Sequence, residues 1–331
     1  MESRNASERL HSFLMIIPIL LLIISLLILI KSANILVDGA SSFAKRLGVS
    51  SLVIGLTIVA FGTSAPELSV NISSTLNGVT DIAVGNIIGS NIANILLILG
   101  IVVWMKGITL QHSTIWKEIP FMLLSAFVVM IMGSDRMIDN ASSGMLTAID
   151  GLVLLSFFLI FLYYSYGISK NGKEEGEIKI FGWIQTFAMM ILGLAGLIVS
   201  GNLLVGAATD IAVTLGVTQR VIGLTIVAIG TSLPELMTSV VAARKGHPDL
   251  AIGNIVGSNI LNVFFILGVT SLIAPLPISQ TVLSDMLIAV ACSLLVFIFL
   301  FIGQRNVLDR WQGAMMVVAY VAYVGILIVS G

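Results

Sequence analysis

Long apolar runs separated by short polar stretches dominate the chain. A helix that crosses a membrane needs about 20 consecutive apolar residues. Uncharged runs near that length lie at Leu47–Pro66, Ile82–Met105, Ile119–Ser134, Gly151–Ser169, Ile180–Thr209, Met286–Gln304 and Trp311–Gly331. The pattern therefore predicts an all-α membrane protein.

Two further apolar runs need interpretation before the helices can be counted. Phe13–Ile30 is longer than the apolar part of a signal peptide and has no small-residue cleavage site, so it predicts a retained first helix. Leu250–Ser284 is too long for one span. Pro275 and Pro277 should end a helix within it, because proline cannot continue the helical hydrogen-bond pattern.

A glutamate cuts two runs short. Leu47–Pro66 meets Glu67, and Val221–Pro234 meets Glu235. If each run continues past its glutamate as one proline-interrupted helix, the chain has ten transmembrane helices, and these two are helices 2 and 7. The polar segment 170–179 would then separate a five-helix half at 1–169 from a second half at 180–331.

The two halves share an internal repeat. Residues 55–100 align with residues 223–268 at a constant offset of 168 without gaps, and 26 of the 46 positions are identical. A shared apolar bias does not place Gly, Thr, Ser, Pro, Glu, Asp and Asn in register. We interpret the two segments as the cores of a structural repeat.

The helix count implies that the repeats have inverted topology. Five is an odd number, so the second half should enter the membrane upside down relative to the first. The loop 77–80 after Glu67 has no basic residue, whereas the loop after Glu235 contains Arg244 and Lys245. Inverted repeats with interrupted helices are typical of secondary transporters, whose site lies near the bilayer midplane. A duplication that serves folding alone is the alternative.

Composition and charge agree with a membrane protein and predict its orientation. The chain is 57% hydrophobic and 10% charged, whereas a soluble domain has about 25% charged residues. Lys and Arg in short loops favour the cytoplasm. With ten helices the loops alternate between the two sides of the membrane. The loops on one side contain eleven basic residues, and the loops and termini on the other side contain four. Both termini should therefore lie outside and segment 170–179 in the cytoplasm.

A Gly-Thr-Ser-x-Pro-Glu motif interrupts helices 2 and 7, at 62–67 and 230–235. Proline lacks an N–H and clashes with the carbonyl four residues back, so each helix should kink or unwind there. The carbonyls of 60–63 and 228–231 should then lose their usual partners, which a membrane tolerates only in buried protein or at a wet cavity. Free carbonyls, hydroxyls and a carboxylate form an all-oxygen surface that suits a hard cation.

Glu67 and Glu235 carry the functional hypothesis. An acid at the centre of a membrane costs about 2.5–3.5 kcal/mol on insertion scales, and no nearby Lys or Arg could neutralise either one. Two carboxylates brought together by the pseudo-symmetry would match the charge of one divalent ion. The alternative for either glutamate is a protonated acid that is hydrogen-bonded to the backbone.

A second motif, Gly-Asn-x-x-Gly-Ser-Asn-x-x-Asn, occurs at 85–94 and again at 253–262. Its serine and its last asparagine are four residues apart and share a helix face. Its two glycines, also four apart, suit close helix approach. The other asparagines are interpreted as interhelical packing contacts: Asn86, Asn91, Asn254 and Asn259.

These paired motifs resemble the alpha-repeats of the sodium/calcium exchanger family, within the calcium/cation antiporter superfamily, and the short central segment resembles its prokaryotic type. The resemblance covers both repeats. It implies ten helices, a location in a prokaryotic plasma membrane, and several sodium ions competing with one calcium ion for overlapping sites. It also implies that sliding of the first helix of each half alternates access.

The resemblance implies a set of cation ligands, position by position. Backbone carbonyls are implied at Ala60, Thr63, Ala228 and Thr231. Side chains are implied at Ser64, Glu67, Ser90, Asn94, Ser232, Glu235, Ser258 and Asn262. Some relatives have Asp at one of the positions that are filled here by Asn94 and Asn262. With Asn at both, the ion ratio and potassium dependence stay open.

The predicted function is secondary active exchange of Na+ for Ca2+, with the cation held between Glu67 and Glu235, and not an enzymatic reaction. Ca2+/H+ antiport or potassium-dependent exchange is the alternative. A channel or a non-transporting scaffold would be a different class, and broken helices in inverted halves argue against an open pore. Besides these ions and the lipid bilayer, we expect no cofactor, no nucleic acid and no obligate protein partner. Cys292 should be inert packing.

Overall fold

Helices form nearly all of the computed structural model, which describes residues 2–135, 144–169, 178–217, 228–304 and 306–330. The first part of the chain contains α1 (Glu2–Leu47), α2 (Ser51–Ile54), α3 (Ala60–Thr63), α4 (Ala65–Leu76), α5 (Thr80–Ile92), α6 (Gly100–Lys106), α7 (Ile119–Met132) and α8 (Ala148–Ser169). The second part contains α9 (Trp183–Thr214), α10 (Ala228–Thr231), α11 (Leu233–Arg244), α12 (Pro248–Leu261), α13 (Gly268–Ile273), α14 (Gln280–Phe299) and α15 (Arg310–Ser330). Helical turns of the π type occur at Gly55–Val59, Ala93–Leu99, Thr114–Glu118 and Asn262–Leu267.

The described helices are those of a membrane protein. Eight of them are long and apolar enough to cross a bilayer, and Ser51–Thr63 with Ala65–Leu76 forms a ninth candidate that bends by 43°. The counterpart of this bent pair, helix 7, has its predicted first part at 221–227, outside the described residues. The all-helical membrane fold is therefore confirmed, while the count of ten inverted helices stays a prediction.

The helices of the two repeats begin and end in register. α4 and α11 share both boundaries at the offset of 168, and α5 and α12 begin at Thr80 and Pro248. Between them the chain turns at Gly78 and Gly246, whose φ angles are 75° and 82°. Glycine adopts this left-handed conformation without the steric cost of a Cβ. The sequence repeat is thus a structural repeat as well.

The two longest helices, α1 and α9, pack against each other. A Cβ atom added at Gly193 would lie 2.8 Å from the Cα of Leu36, and the hydroxyls of Ser42 and Thr186 are 3.0 Å apart. The spanning part of each helix has 32 residues, which is about 48 Å at 1.5 Å per residue. Because the hydrocarbon layer is about 30 Å thick, both helices must tilt or extend beyond it.

The repeat helices form the centre of the molecule. In the segment Pro248–Ile273, 94% of the apolar window is buried, compared with 22% in Ala148–Ser169 and in Arg310–Val329. The latter two helices, with α1, expose large apolar side chains such as Leu159 and Val318. Such a surface suits lipid, so the second motif lies inside a protein shell that separates it from the bilayer.

Four short strands were not predicted. β1 (Ile108–Thr109) pairs antiparallel with β4 (Val307–Leu308), and β2 (Gly144–Leu146) pairs antiparallel with β3 (Leu276–Ile278). Each ladder joins a loop of the first part of the chain to a loop of the second. Backbone N–H and C=O groups beyond helix ends need partners, and these loops supply them to each other.

Prolines end the long run 250–284 as predicted. The helix boundary that was predicted at an acidic residue, Asp285, is wrong. α13 ends at Ile273 and β3 contains Pro277. The predicted helix Met286–Gln304 is observed as Gln280–Phe299. It starts earlier because Asp285 lies inside the helix and accepts a hydrogen bond from the Tyr323 hydroxyl at 3.1 Å.

The first helix is also longer than the run Phe13–Ile30. α1 continues to Leu47. It includes Asp38, whose carboxylate forms an ion pair with Lys245 at 2.6 Å. A charge that finds its partner on another helix does not end its own helix.

Candidate cation-binding site

Both copies of the Gly-Thr-Ser-x-Pro-Glu motif break their helix at the serine. Ser64 has φ −82° and ψ 8°, and Ser232 has φ −88° and ψ 7°. Pro66 and Pro234 lie in the first turn of the following helix. The missing proline N–H has no cost there, since a first-turn N–H has no helical partner. The predicted interruption is therefore confirmed in both repeats.

One expected consequence of the break is wrong at Ala60. Its carbonyl still accepts the Ser64 N–H at 2.9 Å and also the Thr63 hydroxyl at 3.3 Å. The helix continues regularly through Thr63, so the Ala60 carbonyl keeps its ordinary helical partner. In the second repeat the Ser232 N–H bonds to the Ile229 carbonyl instead, at 3.1 Å.

The breaks place the two glutamates in one buried cluster. Glu67 and Glu235 are each 1% exposed. Ser64 donates to Glu235 Oε1 at 2.9 Å, and Ser232 donates to Glu67 Oε1 at 3.3 Å. The serine of each repeat therefore holds the glutamate of the other. Ser90 adds a second donor to Glu67 Oε1 at 3.3 Å.

Several polar atoms of the two motifs have no hydrogen-bond partner although they are buried. They are Glu67 Oε2, Glu235 Oε2, Asn94 Oδ1, Asn262 Oδ1, Ser258 Oγ and Thr231 Oγ1. Unpaired buried polar atoms are costly and uncommon in folded proteins. All six are oxygens, which are the ligands that hard cations such as Ca2+ and Na+ take. These oxygens are therefore suitable ligands for a cation.

The asparagines of the second motif connect helices. Asn91 donates to the Asn259 carbonyl at 3.2 Å and accepts from Asn262 Nδ2 at 3.0 Å. Asn91 and Asn259 are equivalent positions of the two repeats, so the repeats meet here. Asn254 bonds to Thr63 Oγ1 and to Ser239 Oγ, both at 3.0 Å. For Asn91, Asn254 and Asn259, the interpretation as interhelical contacts is confirmed.

The predicted site residues differ in how deeply they are buried. Ten of the twelve are fully buried: Ala60, Thr63, Ser64, Glu67, Ser90, Asn94, Ser232, Glu235, Ser258 and Asn262. Thr231 is partly buried, and Ala228 is placed by its backbone at the start of α10. Direct hydrogen bonds join Ser64 to Glu235, and separately join Ser90 and Ser232 to Glu67. Whether a cation binds to the whole set stays a prediction.

Sequence reasoning missed a third buried acid, Glu118. It is 0% exposed, its Oε2 has no partner, and its Oε1 accepts the Tyr164 hydroxyl. In the sequence it is only the polar residue before the run that starts at Ile119, and it lies outside the repeat segment 55–100. Among the described residues its hydrogen-bond partner is Tyr164 and not a motif residue, so we place it outside the candidate site.

Comparison with known proteins identifies the family. The model of the sodium/calcium exchanger protein family matches residues 17–167 and 185–329, which is most of the chain. The chain belongs to the sodium/calcium exchanger family. The resemblance of the two motifs to that family is thereby confirmed.

Relatives and solved structures agree with this assignment. The chain is 38% identical to the putative antiporter CaxA of Alkalimonas amylolytica, over 86% of this chain and 90% of that protein. It is 31% identical to the sodium/calcium exchanger MaX1 of Methanosarcina acetivorans, over 87% and 92%. A solved structure of the sodium-calcium exchanger NCX_Mj, soaked with Na+ and Sr2+, matches at 32% identity and a TM-score of 0.81, covering 94% of this chain and 99% of that one.

This exchanger is thus an integral membrane protein of a cation antiporter family, and the family is one of transporters.

Proposed function

We propose that the protein exchanges Na+ for Ca2+ across the membrane, with the calcium ion held between Glu67 and Glu235. One observation carries the proposal. Both carboxylates are buried, each has one oxygen held by the serine of the other repeat, and each has a second oxygen without a partner. A buried carboxylate oxygen in this state needs a cation or a proton.

Charge and ligand chemistry favour calcium as one of the ions. Ca2+ takes six to eight oxygen ligands, and two carboxylates balance its charge. The amide oxygens of Asn94 and Asn262 and the Ser258 hydroxyl, all in the second motif, are further unpartnered oxygens that could serve as ligands. Sodium ions would use the same oxygens, so occupancy by Na+ and by Ca2+ would exclude each other. Competition for one site is what couples the two fluxes.

The repeat supports alternating access as the transport mechanism. We propose five helices in each of the halves 1–169 and 180–331, inserted with opposite topology around a cytoplasmic segment 170–179, with both termini outside. Two inverted halves can exchange roles, so the site between them would open to one side and then to the other.

A flux experiment that changes the driving ion tests the function. Purified protein in vesicles loaded with Na+ should take up labelled Ca2+, without a requirement for K+ and without a pH gradient. Uptake that follows a pH gradient in the absence of Na+ would instead show Ca2+/H+ antiport. Uptake that requires K+ would show potassium-dependent exchange.

Matched substitutions connect the flux to the site. Glu67→Gln should abolish uptake because one of the two charges is lost. Glu118→Gln is the control, since it makes the same change at a buried acid outside the candidate site and keeps an oxygen for the Tyr164 hydroxyl. Retained uptake in Glu67→Gln would refute the site assignment.

A further inference from the structure

A groove lies between α1 and α11, away from the candidate cation-binding site. Its volume is about 240 Å³. Its apolar walls are the side chains of Ile30 on α1 and of Met237, Val240 and Val241 on α11. A pocket that encloses a whole small molecule has about 300–1,000 Å³. A molecule that binds in this groove must therefore extend beyond it.

The groove is basic at the end where α11 stops. Arg244 and Lys245 line it there. The Lys245 ammonium donates to the Asp38 carboxylate at 2.6 Å and to the Asn34 carbonyl at 3.1 Å. Arg244 is exposed and, among the described residues, has no acidic partner within 4 Å. Its guanidinium is therefore available to an anion such as a phosphate, which arginine can bind through two parallel hydrogen bonds.

At its other end the groove continues into an exposed apolar stripe on α1. Ile30 and Asn34 both line the groove and are four residues apart, so they share one face of the helix. Leu27 and Ile23 precede them on that face, at spacings of three and four residues, and both are exposed. Positive charge, apolar groove and exposed apolar stripe therefore follow one another in the order of the headgroup and acyl chain of a phospholipid.

We propose that this groove binds an anionic phospholipid, with the phosphate on Arg244 and Lys245 and one acyl chain along Ile30 and Leu27. Basic pockets between transmembrane helices are typical sites for the headgroups of anionic lipids. A soluble anion would leave the apolar walls uncovered, and a lipid without net charge would leave the positive charge of Arg244 unbalanced. The proposal does not depend on which ions the protein exchanges.

The bound lipid would connect parts of the chain that are far apart in sequence. α1 precedes the segment 170–179 and α11 follows it, and the ion pair between Asp38 and Lys245 already joins the two helices. The lipid would contact both helices beside this ion pair. A ligand that binds the folded protein and not the unfolded chain raises the melting temperature. An anionic lipid should therefore stabilise the protein more than a zwitterionic lipid with the same acyl chains.

Lipid titration of the full chain, followed by native mass spectrometry, tests the proposal. Purified protein in detergent is titrated with phosphatidylglycerol or with phosphatidylcholine of the same acyl chains, and the fraction with one bound lipid is measured. The first phosphatidylglycerol should bind at least about fivefold more tightly than the first phosphatidylcholine, the factor that one basic residue near the headgroup supplies. Equal affinities for the two lipids would overturn the proposal.

Arg244→Gln should remove this preference. We expect its affinity for phosphatidylglycerol to fall about fivefold, while its affinity for phosphatidylcholine stays the same. Lys45→Gln is the matched control, because Lys45 is an exposed basic residue in the last turn of α1 and lies outside the groove. It should keep the preference of the wild type. The same loss in both variants would mean a general attraction between basic residues and anionic lipids, and would overturn the site.

A second pair of variants tests the apolar part of the groove and keeps the test valid if Arg244→Gln does not fold. Ile30→Trp should fill part of the groove and weaken the binding of the first phosphatidylglycerol. Ile28→Trp is the control, since Ile28 is 42% exposed and Ile30 38%, but Ile28 faces away from the groove. It should bind phosphatidylglycerol like the wild type. Equal binding by the two variants would contradict the position of the acyl chain and overturn the proposal.

Inorganic phosphate distinguishes a lipid site from a simple anion site. In large excess it should not displace phosphatidylglycerol, because it has no acyl chain to cover the apolar walls. Displacement by phosphate would overturn the proposal. The melting temperature is a second readout: phosphatidylglycerol should raise it more than phosphatidylcholine does in the wild type, and Arg244→Gln should lose this difference. A difference that persists in Arg244→Gln would contradict the role of Arg244.

Discussion

A single buried glutamate would be expensive inside a membrane, and this protein has two in one cluster. Each receives a hydroxyl from the opposite repeat, yet neither receives a positively charged side chain in the described residues. The serines satisfy one oxygen of each carboxylate and leave the other oxygen available. At the residue scale, we propose that a bound cation completes the network.

The Ser64 hydroxyl should contribute to calcium affinity through Glu235. Ser64→Ala removes the donor that fixes Glu235 Oε1 at 2.9 Å and also removes a predicted ligand. Loss of a hydrogen bond to a charged group costs about 1.5–3 kcal/mol. We therefore expect the apparent KM for Ca2+ to rise at least tenfold in vesicle uptake.

Ser125→Ala is the control for this prediction. The Ser125 hydroxyl is also buried in a membrane helix, but it donates to the Met122 carbonyl of its own helix. Its apparent KM should stay within about twofold of the wild-type value. Equal KM values for Ser64→Ala and the wild type would contradict the role assigned to Ser64.

At the scale of single elements, the broken helices decide where the site can form. The break at Ser64 separates α3 from α4 with a bend of 43° between the two helical segments. Pro66 favours this break, because a continuous helix would need an N–H where proline has none. The break directs the Ser64 hydroxyl toward the other repeat.

Pro66→Ala should weaken transport without unfolding the protein. Alanine restores the N–H and permits a straighter helix, which would move Ser64 relative to Glu235. We expect at least a tenfold loss of calcium uptake with little change in the melting temperature. Pro18→Ala, in the uninterrupted helix α1, is the control and should retain uptake. Full activity of Pro66→Ala would show that the break does not depend on the proline.

Close packing of α1 on α9 predicts a stability effect. In Gly193→Ala the new Cβ would lie 2.8 Å from the Leu36 backbone, and such overpacking costs about 1–3 kcal/mol. Gly206→Ala on the same helix meets no described atom within 4 Å and should be neutral or stabilise by up to about 1 kcal/mol. Thermal unfolding of purified protein compares them. A lower melting temperature for Gly206→Ala than for Gly193→Ala would contradict the packing.

The sequence predicted the repeat elements well and other boundaries less well. The motifs specify the breaks at Ser64 and Ser232 through a proline, which acts locally. The start of α14 was misplaced because Asp285 lies inside the helix and accepts a hydrogen bond from Tyr323. The first apolar run stops at Lys31, whereas α1 continues past it and past Asp38, whose partner is the distant Lys245. Such partners cannot be identified from local sequence.

At the scale of the whole molecule, the same motif sequence makes different contacts in the two repeats. Asn86 and Asn254 occupy identical motif positions, and the sequence gives no reason to distinguish them. In the structure one is bonded to Thr63 and the other has an unpartnered amide. The difference depends on packing between the repeats and not on the local sequence, so sequence reasoning could propose site residues but could not distinguish the two copies of the motif.

The charge asymmetry of the loops predicts how the molecule lies in the membrane. In a Cys292→Ser background, Gly172→Cys in the segment 170–179 should react with an impermeant maleimide only after intact cells are permeabilised. Asn140→Cys, in the loop between the predicted helices 4 and 5, should react in intact cells. Basic residues in short loops favour the cytoplasm, and the eleven-to-four distribution supports this orientation. The opposite labelling pattern would contradict it.

The central claim, that Glu67 and Glu235 jointly hold the transported calcium ion, can be tested by anomalous diffraction from crystals of the purified exchanger grown with Ca2+. The account predicts a calcium peak within about 2.3–2.6 Å of carboxylate oxygens from both glutamates. A calcium peak bonded to only one of them, or located elsewhere in the protein, would contradict it.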